Sequence, residues 1–358
     1  MTDAVSWATS HPLAPPAGSF PKYPDSWYLF GTARQLRHGP VSRQMLGRRL
    51  VAYRTASGRV AVLDARCSHL GADLGRGQVV GENIQCPFHH WEYGADGRCT
   101  HIPVSGVIPA TARQACYPVV ERHGLVFFFN SAEPRFPLPF FADERPEEFV
   151  PARPFGVVLD CPWYMVGSNA FDLQHFRAAH DRRLAGEPVV DCPSAFARRA
   201  TARFAVAGNS VQDRLTRLCA GDTVEMSITD WCGNLMFATA TFRRTRSHGM
   251  VITEPLASGA VAVRVIVFVP RSRSRLGRVF CDPVHGWVRR FFIKKFLSSD
   301  AARLDGARYN PHSLIAWDKD LAEYFRWLSR VAHGTSPRTQ CEATLQEPAR
   351  EPCVRASA

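Results

Sequence analysis

Two short segments of this chain each combine a cysteine with a histidine. The first contains Cys67 and His69, and the second contains Cys86 and His89, with sixteen residues between the two pairs. Two such pairs could hold one tetrahedral zinc ion, although zinc sites more often use C-x-x-C pairs. One thiolate and one imidazole from each of two loops can instead give two Cys to one iron and two His to the other, which is Rieske-type [2Fe–2S] ligation. We favour the cluster over zinc.

A second group of polar residues follows about 85 residues later. Asn169, Asp172, His175 and His180 fall within twelve residues, and on a helix the first two share a face with His175 alongside. His180 is about 140° from His175 around an ideal helix. Both can reach one metal only if the helix is distorted or ends there, so we expect an irregularity near 177–179. Two histidines and a carboxylate form the facial triad of non-heme Fe(II) oxygenases, which leaves positions open for O2.

The carboxylate of such a triad should lie well downstream. The candidates are Asp300, Asp305, Asp318 and Asp320. Asp300 falls within an apolar stripe at helical spacing, where a carboxylate is costly unless it meets a partner such as a metal. Asp318 and Asp320 lie at the start of a helix, where acidic groups favour the helix dipole. Capping explains that pair better, so Asp300 is the predicted ligand.

Composition and turn signals divide the chain into five parts. Short strands separated by turns indicate a small antiparallel β domain, and a proline-rich passage after it indicates a linker on the surface. A mixed region follows, and a polar end is expected to be disordered. The expected parts are a lead-in at 1–26, the β domain at 27–130, the linker at 131–156, the mixed domain at 157–335 and the tail at 336–358.

The mixed domain is predicted to be α+β, with helices flanking an antiparallel sheet. A helix over about 166–180 carries the second polar group, strand-like segments follow, and two late helices are expected near 284–308 and 319–333. The region is rich in apolar and aromatic residues, which predicts a pocket for an apolar or aromatic small molecule. Candidate lining residues are Met165, Phe171, Phe176, Met226, Trp231 and Phe237.

Charge and cysteine content limit the other functional classes. The net charge is +12, mostly from scattered arginines, and we favour a basic surface, or a docking face for an acidic electron donor, over nucleic-acid binding. Eleven cysteines without a visible export signal indicate reduced thiols. No apolar stretch approaches the roughly 18–20 residues of a transmembrane helix. We therefore expect a cytoplasmic protein with no nucleic-acid and no membrane partner.

The motifs resemble those of the Rieske non-heme iron oxygenases, the ring-hydroxylating oxygenase α-subunit family, and the chain length fits the monooxygenase type. The matching elements are C-x-H-L-G-A-x-L at 67–74, C-P-F-H-x-W at 86–91, I-P at 102–103 and N-x-x-D-x-x-H-x(4)-H at 169–180. Position 90 is His where the family usually has Gly. The resulting F-H-H-W is similar to the same segment of aminopyrrolnitrin oxygenases.

The resemblance implies an N-terminal all-β Rieske domain and a C-terminal catalytic domain. It implies a [2Fe–2S] cluster on Cys67, His69, Cys86 and His89, and a mononuclear Fe(II) on His175, His180 and a late-helix carboxylate at about Asp300. Asp172 would link the two centres, and Asn169 belongs to the same signature. Electrons from NAD(P)H would arrive through a ferredoxin and/or a flavin reductase. O2 would be the co-substrate, and a homotrimer would pair each cluster with a neighbour's iron.

Several reactions share this arrangement of sites. Hydroxylation, N-oxygenation, demethylation and desaturation are all open, in bacterial secondary metabolism or in steroid and aromatic turnover, and no motif separates them. Two other functional classes remain. One is a Rieske protein that only carries electrons, and the other is a zinc-bearing, basic nucleic-acid-binding protein.

Overall fold

The computed structural model describes residues 14–180, 182–209 and 211–332. The tail expected at 336–358 and the first part of the expected lead-in lie outside these residues. Within them the chain forms an N-terminal β domain and a larger domain of helices and antiparallel sheet. The predicted fold class is therefore confirmed.

The N-terminal domain consists of short strands joined by turns. Its strands are β1 (Trp27–Thr32), β2 (Val41–Met45), β3 (Arg48–Arg54), β4 (Val60–Asp64), β5 (Gln78–Val80), β6 (Asn83–Gln85), β7 (Glu92–Tyr93), β8 (Cys99–His101), β9 (Cys116–Tyr117), β10 (Val119–Arg122) and β11 (Leu125–Phe129). They form three antiparallel sheets in the orders β1-β11-β10, β2-β3-β4-β9 and β5-β6-β7-β8. The second Cys–His loop connects β6 and β7 of the β5–β8 sheet, and the first lies between β4 and β5.

The second domain is built on one large antiparallel sheet. Its strands are β12 (Phe149–Pro151), β13 (Phe155–Leu159), β14 (Arg182–Leu184), β15 (Val189–Ser194), β16 (Ala197–Val206), β17 (Thr223–Trp231), β18 (Leu235–Phe242), β19 (Arg246–Pro255) and β20 (Val261–Pro270). The order is β12-β20-β19-β18-β17-β16-β14, with β13 also pairing β20 and β15 also pairing β16. These strands are long and rich in β-branched and aromatic residues, which suit a pleated surface that is packed on both faces.

Five α-helices accompany this sheet in the described chain. They are α1 (Trp163–Ser168), α2 (Leu173–His180), α3 (Val211–Cys219), α4 (Asp282–Leu304) and α5 (Lys319–Val331). A π-helical turn at Gly277–Cys281 leads directly into α4. In the described residues, no helix combines the length and the apolar character needed to cross a membrane.

The passage at 131–156 differs from the expected surface linker. Phe136, Leu138, Phe141 and Phe149 are buried in the core of the second domain, and the indole N–H of Trp27 donates to the Phe136 carbonyl at 2.9 Å. Two strands, β12 and β13, begin within or at the end of this passage and pair with β20. Proline directs the chain along the surface, but the aromatic residues between the prolines fill the space between the two domains.

The helix expected over about 166–180 is two helices. α1 ends at Ser168, and α2 begins at Leu173. Oδ1 of Asp172 accepts hydrogen bonds from the backbone N–H groups of Gln174 (3.0 Å) and His175 (3.3 Å). An aspartate in that position caps a helix N-terminus, so the chain starts a new helix here. The chain therefore breaks before α2, and residues 177–179 are regular helix, so the predicted irregularity there is corrected; the alternative that the helix ends at this point holds, because α2 ends at His180.

A buried carboxylate fastens α5 to the sheet. Asp230 accepts hydrogen bonds from the Tyr324 hydroxyl and from the Gly233 N–H group. Gly167 of α1 packs so closely here that a Cβ would lie 2.2 Å from the Tyr324 hydroxyl oxygen, which only glycine permits. Burial raises the pKa of Asp230 to about 7. The carboxyl group is thus protonated in the fold over a pH range in which the unfolded chain has released the proton.

Replacing Asp230 with Asn is expected to flatten the pH dependence of stability. The folded pKa of about 7 lies above the ordinary value of 3.8, so this group stabilises the fold below pH 4 and its contribution is lost as the pH rises to 7. The full loss is about 4 kcal/mol. Chemical unfolding measures the free energy of unfolding at pH 5 and pH 8. From pH 5 to pH 8 this free energy should fall for the wild type and fall less for the Asp230→Asn variant. Equal changes in the two proteins would contradict this.

Candidate metal centres and substrate cavity

The two Cys–His loops have the same backbone hydrogen bonds. In each loop the N–H group of the cysteine donates to the carbonyl five residues on, and its carbonyl accepts from the N–H group four residues on. That fourth residue, Gly71 or His90, has a left-handed backbone, with φ of 75° and 59°. Glycine adopts this region freely and other residues do so at a cost. His90 thus takes the left-handed position in the second loop that Gly71 takes in the first, within the same turn.

The four candidate cluster ligands face one another across the two loops. Cys67 and Cys86 are buried, and burial together with the Cys67 thiol raises the pKa of Cys86, while His69 and His89 are exposed with ring centroids 4.8 Å apart. Backbone N–H groups at the second loop also donate to the Cys86 sulfur. Buried thiols and surface imidazoles on paired loops fit a [2Fe–2S] cluster with one iron inside and one at the surface.

Tyr93, which the sequence reasoning missed, contacts the buried side of this group. Its hydroxyl lies 3.1 Å from Cys67 Sγ and 3.0 Å from Ser68 Oγ. Trp91 stacks on the His69 ring at 4.4 Å on the other side. Trp91 and Tyr93 lie two and four residues after His89. This position, close to the second Cys–His pair, could have indicated Tyr93 from the sequence.

Replacing Tyr93 with Phe is expected to lower the midpoint potential of a bound cluster by about 60 mV. A hydroxyl that donates to a thiolate favours the state with more negative charge, and a change of about 1.4 kcal/mol corresponds to that shift for one electron. A redox titration followed by EPR measures it. Tyr117→Phe, which changes a hydroxyl bonded to Asp64 instead, is the control. An unchanged potential in Tyr93→Phe would show that the hydroxyl does not donate to the sulfur.

The second domain brings His175, His180 and Asp300 together. Their ligand atoms all lie within 4.8 Å of one another. The two histidines come from α2, and His180 is its last residue, so the end of the helix allows both rings to reach one point. Asp300 comes from α4, on the face that also carries Phe296, whose ring stacks on His180 at 3.8 Å.

These three side chains fit a divalent metal ion. His180 Nε2 and Asp300 Oδ1 are in close contact at 2.6 Å, and neither of these buried atoms has a further hydrogen-bond partner. A divalent cation bound by both atoms would satisfy them together with His175. His175 Nδ1 bonds to the Asp172 carbonyl, which leaves Nε2 free to coordinate. Burial lowers the pKa of His175, favouring the neutral ring that metals bind.

Asp172 and Asn169 lie beside this group but outside it. The carboxylate of Asp172 caps α2 and is half-buried, so it is not one of the three converging groups. Asn169 lies at the end of α1 and lines the cavity next to His175. Asp172 contacts the candidate metal site through its carbonyl, which bonds to His175 Nδ1, and Asn169 lines the cavity.

An apolar cavity of about 840 Å³ is lined by two of the three candidate ligands, His175 and Asp300. Its walls come from the sheet face of β17–β20, from α3 and from α4. Along α4, the cavity face carries Arg289, Phe292, Phe296 and Asp300, spaced as neighbours on one side of a helix. A cavity of this size and lining can hold a rigid apolar molecule of several rings.

The structure divides the six predicted lining residues. Phe176 and Met226 line the cavity. The other four pack in or against the core of the second domain: Phe171 and Phe237 are buried, and Met165 and Trp231 are partly buried. Alternation along β17 explains the split, since Met226 and Trp231 are five residues apart and therefore face opposite sides of the sheet. Sequence alone did not indicate which side carries the cavity.

Comparison with known protein families identifies the first domain. Residues 26–118 match the family described as the Rieske [2Fe-2S] domain. Aminopyrrolnitrin oxygenase PrnD of Pseudomonas fluorescens is 36% identical over 165 residues, which is 43% of this chain and 45% of that protein. The oxygenase component of a 3-ketosteroid-9-alpha-monooxygenase of Rhodococcus rhodochrous is 35% identical over 119 residues, 33% of this chain and 31% of that protein. The matches thus cover less than half the length of these relatives.

Comparison with solved structures extends the similarity over both domains. The crystal structure of dicamba monooxygenase bound to dicamba has a TM-score of 0.65 at 19% identity, covering 88% of this chain and 98% of that one. At this level of identity the similarity concerns the fold. The same two-domain architecture, with a Rieske domain joined to a helix-flanked sheet, is thus present here.

Proposed function

We propose that this chain, whose residues 26–118 form a Rieske [2Fe-2S] domain, is the oxygenase component of a Rieske non-heme iron oxygenase. Its reaction would oxidise an apolar or aromatic small molecule with O2. The convergence of His175, His180 and Asp300 on one point at the end of an apolar cavity carries this proposal. A protein that only carries electrons needs neither the three converging ligands nor the cavity.

The residues of the chain have separate tasks in this proposal. When bound, the cluster supplies single electrons and the mononuclear iron activates O2. Asp300 provides a negative charge that offsets a divalent cation in apolar surroundings. The Asp172 carbonyl fixes the His175 ring in the tautomer that leaves Nε2 unprotonated, as is usual for metal-bound histidines. The apolar cavity walls orient the substrate and exclude water.

The size of the cavity favours a bulky substrate. About 840 Å³ is near the upper end of the range for small-molecule sites, and the polar groups on its lining are few. The names of two relatives refer to aminopyrrolnitrin and to a 3-ketosteroid, and a substrate of either kind is compatible with this cavity. Hydroxylation, N-oxygenation, demethylation and desaturation remain alternatives for the reaction, in secondary metabolism or in steroid and aromatic turnover.

The proposal includes partners that the chain needs for turnover. A ferredoxin and/or a flavin reductase would deliver electrons from NAD(P)H to the exposed His69–His89 edge. A homotrimer would bring that edge close to a neighbour's Asp172. We also propose a cytoplasmic location. Sedimentation of the purified protein tests the trimer, and cell fractionation tests the location.

Anaerobic purification followed by absorption and EPR spectroscopy tests the function. We expect a reddish-brown protein with a Rieske signal after reduction and about three irons per chain, two in the cluster and one mononuclear. O2 uptake with a reductase should then rise when a substrate of the right class is added. An iron content of two per chain that does not rise when Fe(II) is added would favour an electron carrier. A colourless zinc protein would contradict both functions.

A further inference from the structure

An apolar stripe runs along the solvent side of the helical stretch that leads into and through the first half of α4. Leu276, Phe280, Val284, Trp287 and Phe291 follow one another at steps of four, four, three and four residues, so they share one face. Their exposure lies between 55% and 73%. Single exposed apolar side chains are common, whereas a contiguous row of large ones marks an interaction surface.

Helix α3, which contributes Leu215 to the cavity lining, also carries exposed apolar residues. Val211 and Leu218 of α3 are 72% and 71% exposed. Leu215 of α3 and Val288 of α4 line the cavity and are also exposed. The cavity wall therefore reaches the surface on both helices, and apolar side chains border it on either side.

The turn between β18 and β19 connects the two helices. Arg244 in this turn donates to the Leu218 carbonyl at 2.7 Å. Arg289 of α4 donates to the Thr245 hydroxyl at 3.1 Å. The turn thus joins α3 to the cavity side of α4, next to the exposed Val288, whereas the stripe lies on the solvent side of the same helix.

The surroundings of the stripe are strongly positive. Residues 271–300 contain eight Arg and Lys against two Asp, and both of these carboxylates are buried. The exposed cations are Arg271, Arg273, Arg275, Arg278, Lys294 and Lys295. A second copy of the chain would bring the same positive charge to this face, whereas an anionic lipid surface attracts it. Trp, Phe and Leu beside Arg and Lys are typical of helices that lie in a membrane interface.

We propose that the apolar stripe docks this protein onto an anionic lipid surface, with the exposed cavity wall at Leu215 and Val288 beside the contact. An apolar molecule dissolved in the lipid could then enter the cavity without crossing water. Only this route of entry rests on the proposed oxygenase function. The expectation of no membrane partner came from the lack of a spanning segment, and a helix that lies in the interface needs none.

Flotation of the full-length, metal-loaded protein with lipid vesicles tests the docking. We expect binding to phosphatidylcholine vesicles that contain about 30% phosphatidylserine, weaker binding to pure phosphatidylcholine, and release by high salt. The double variant Trp287→Ser/Phe291→Ser should lose at least about tenfold in binding. Trp317→Ser is the matched control, because Trp317 is 85% exposed elsewhere on the surface, and it should bind like the wild type.

A charge variant gives an independent test. Arg273, Arg275 and Lys295 are exposed, so their joint replacement with Gln should leave the fold and the visible spectrum unchanged and weaken binding to the anionic vesicles only. Failure of the wild type to float with anionic vesicles, or equal losses in the double variant and Trp317→Ser, would overturn the proposal. So would dissociation of an oligomer in the double variant, which would make the stripe a subunit interface. Iron content and O2 uptake test the oxygenase function separately.

Discussion

Replacing Asp300 with Asn is expected to remove the mononuclear iron and leave the Rieske cluster in place. Asp300 provides the only carboxylate among the three converging groups. Asparagine has nearly the same shape but no charge, so a divalent cation would be left with neutral ligands in apolar surroundings. Replacing a residue that only hydrogen-bonds to a metal ligand typically lowers metal affinity about 10–100-fold. We expect the loss of a charged ligand itself to lower metal affinity at least about 100-fold.

Iron analysis and EPR of the Asp300→Asn variant measure this loss. The iron content should fall from about three to about two per chain, with the reduced Rieske signal unchanged. Asp318→Asn is a suitable control, because Asp318 was a candidate ligand by sequence but bonds to Gln174 Nε2 and to the Ile315 N–H group. Three irons in the Asp300→Asn variant, or loss of iron in Asp318→Asn, would place the third ligand elsewhere.

The two Cys–His pairs and the pair His175 and His180 could be predicted because the members of each pair lie close together in the sequence. A Cys–His pair on one tight loop requires only that the loop turn sharply, and the left-handed residue at Gly71 or His90 provides that turn. Asp300 could be predicted because a carboxylate in an apolar helical stripe needs a partner. The spacing does not show which metals are bound, so the assigned roles stay predictions.

The helix break could be predicted only by weighing two local signals against each other. Periodicity favoured one helix over about 166–180, but the side chain of Asp172 competes with the helix for the backbone N–H groups that follow it. This cap starts α2 at Leu173, separate from α1, which ends at Ser168. A cap inside an otherwise periodic segment is thus a boundary signal that periodicity alone hides.

The buried linker and the cavity walls depended on contacts between distant parts of the chain. The Phe136 ring is buried by packing against Phe129 and Trp231, which lie in two different domains. Trp27, more than a hundred residues earlier, bonds to the Phe136 carbonyl. Met226 faces the cavity and Phe237 the core because of how β17 and β18 pair, and a shift of one residue would exchange the two sides. Composition predicted an apolar cavity, but the register of the strands decides which residues line it.

Replacing Asp172 with Asn is expected to preserve both metal centres and lower turnover by about 10–100-fold. In the proposed trimer this half-buried carboxylate would accept a hydrogen bond from a neighbour's cluster histidine, which His89 provides best. An amide can keep the shape of that contact but has no charge to hold an imidazole N–H. Turnover should fall while the iron content and the Rieske signal stay at the wild-type level.

Comparison with Asp172→Ala separates the proposed bridge from the observed cap. Asn caps a helix about as well as Asp, whereas Ala costs about 1 kcal/mol. If the carboxylate only caps α2 through the Gln174 and His175 N–H groups, the Asn variant should turn over like the wild type and the Ala variant should lose both stability and iron. If it bridges, both variants lose turnover, and the Asn variant does so with full stability and full iron. Wild-type turnover in the Asn variant would therefore end the bridging role and leave Asp172 as a helix cap.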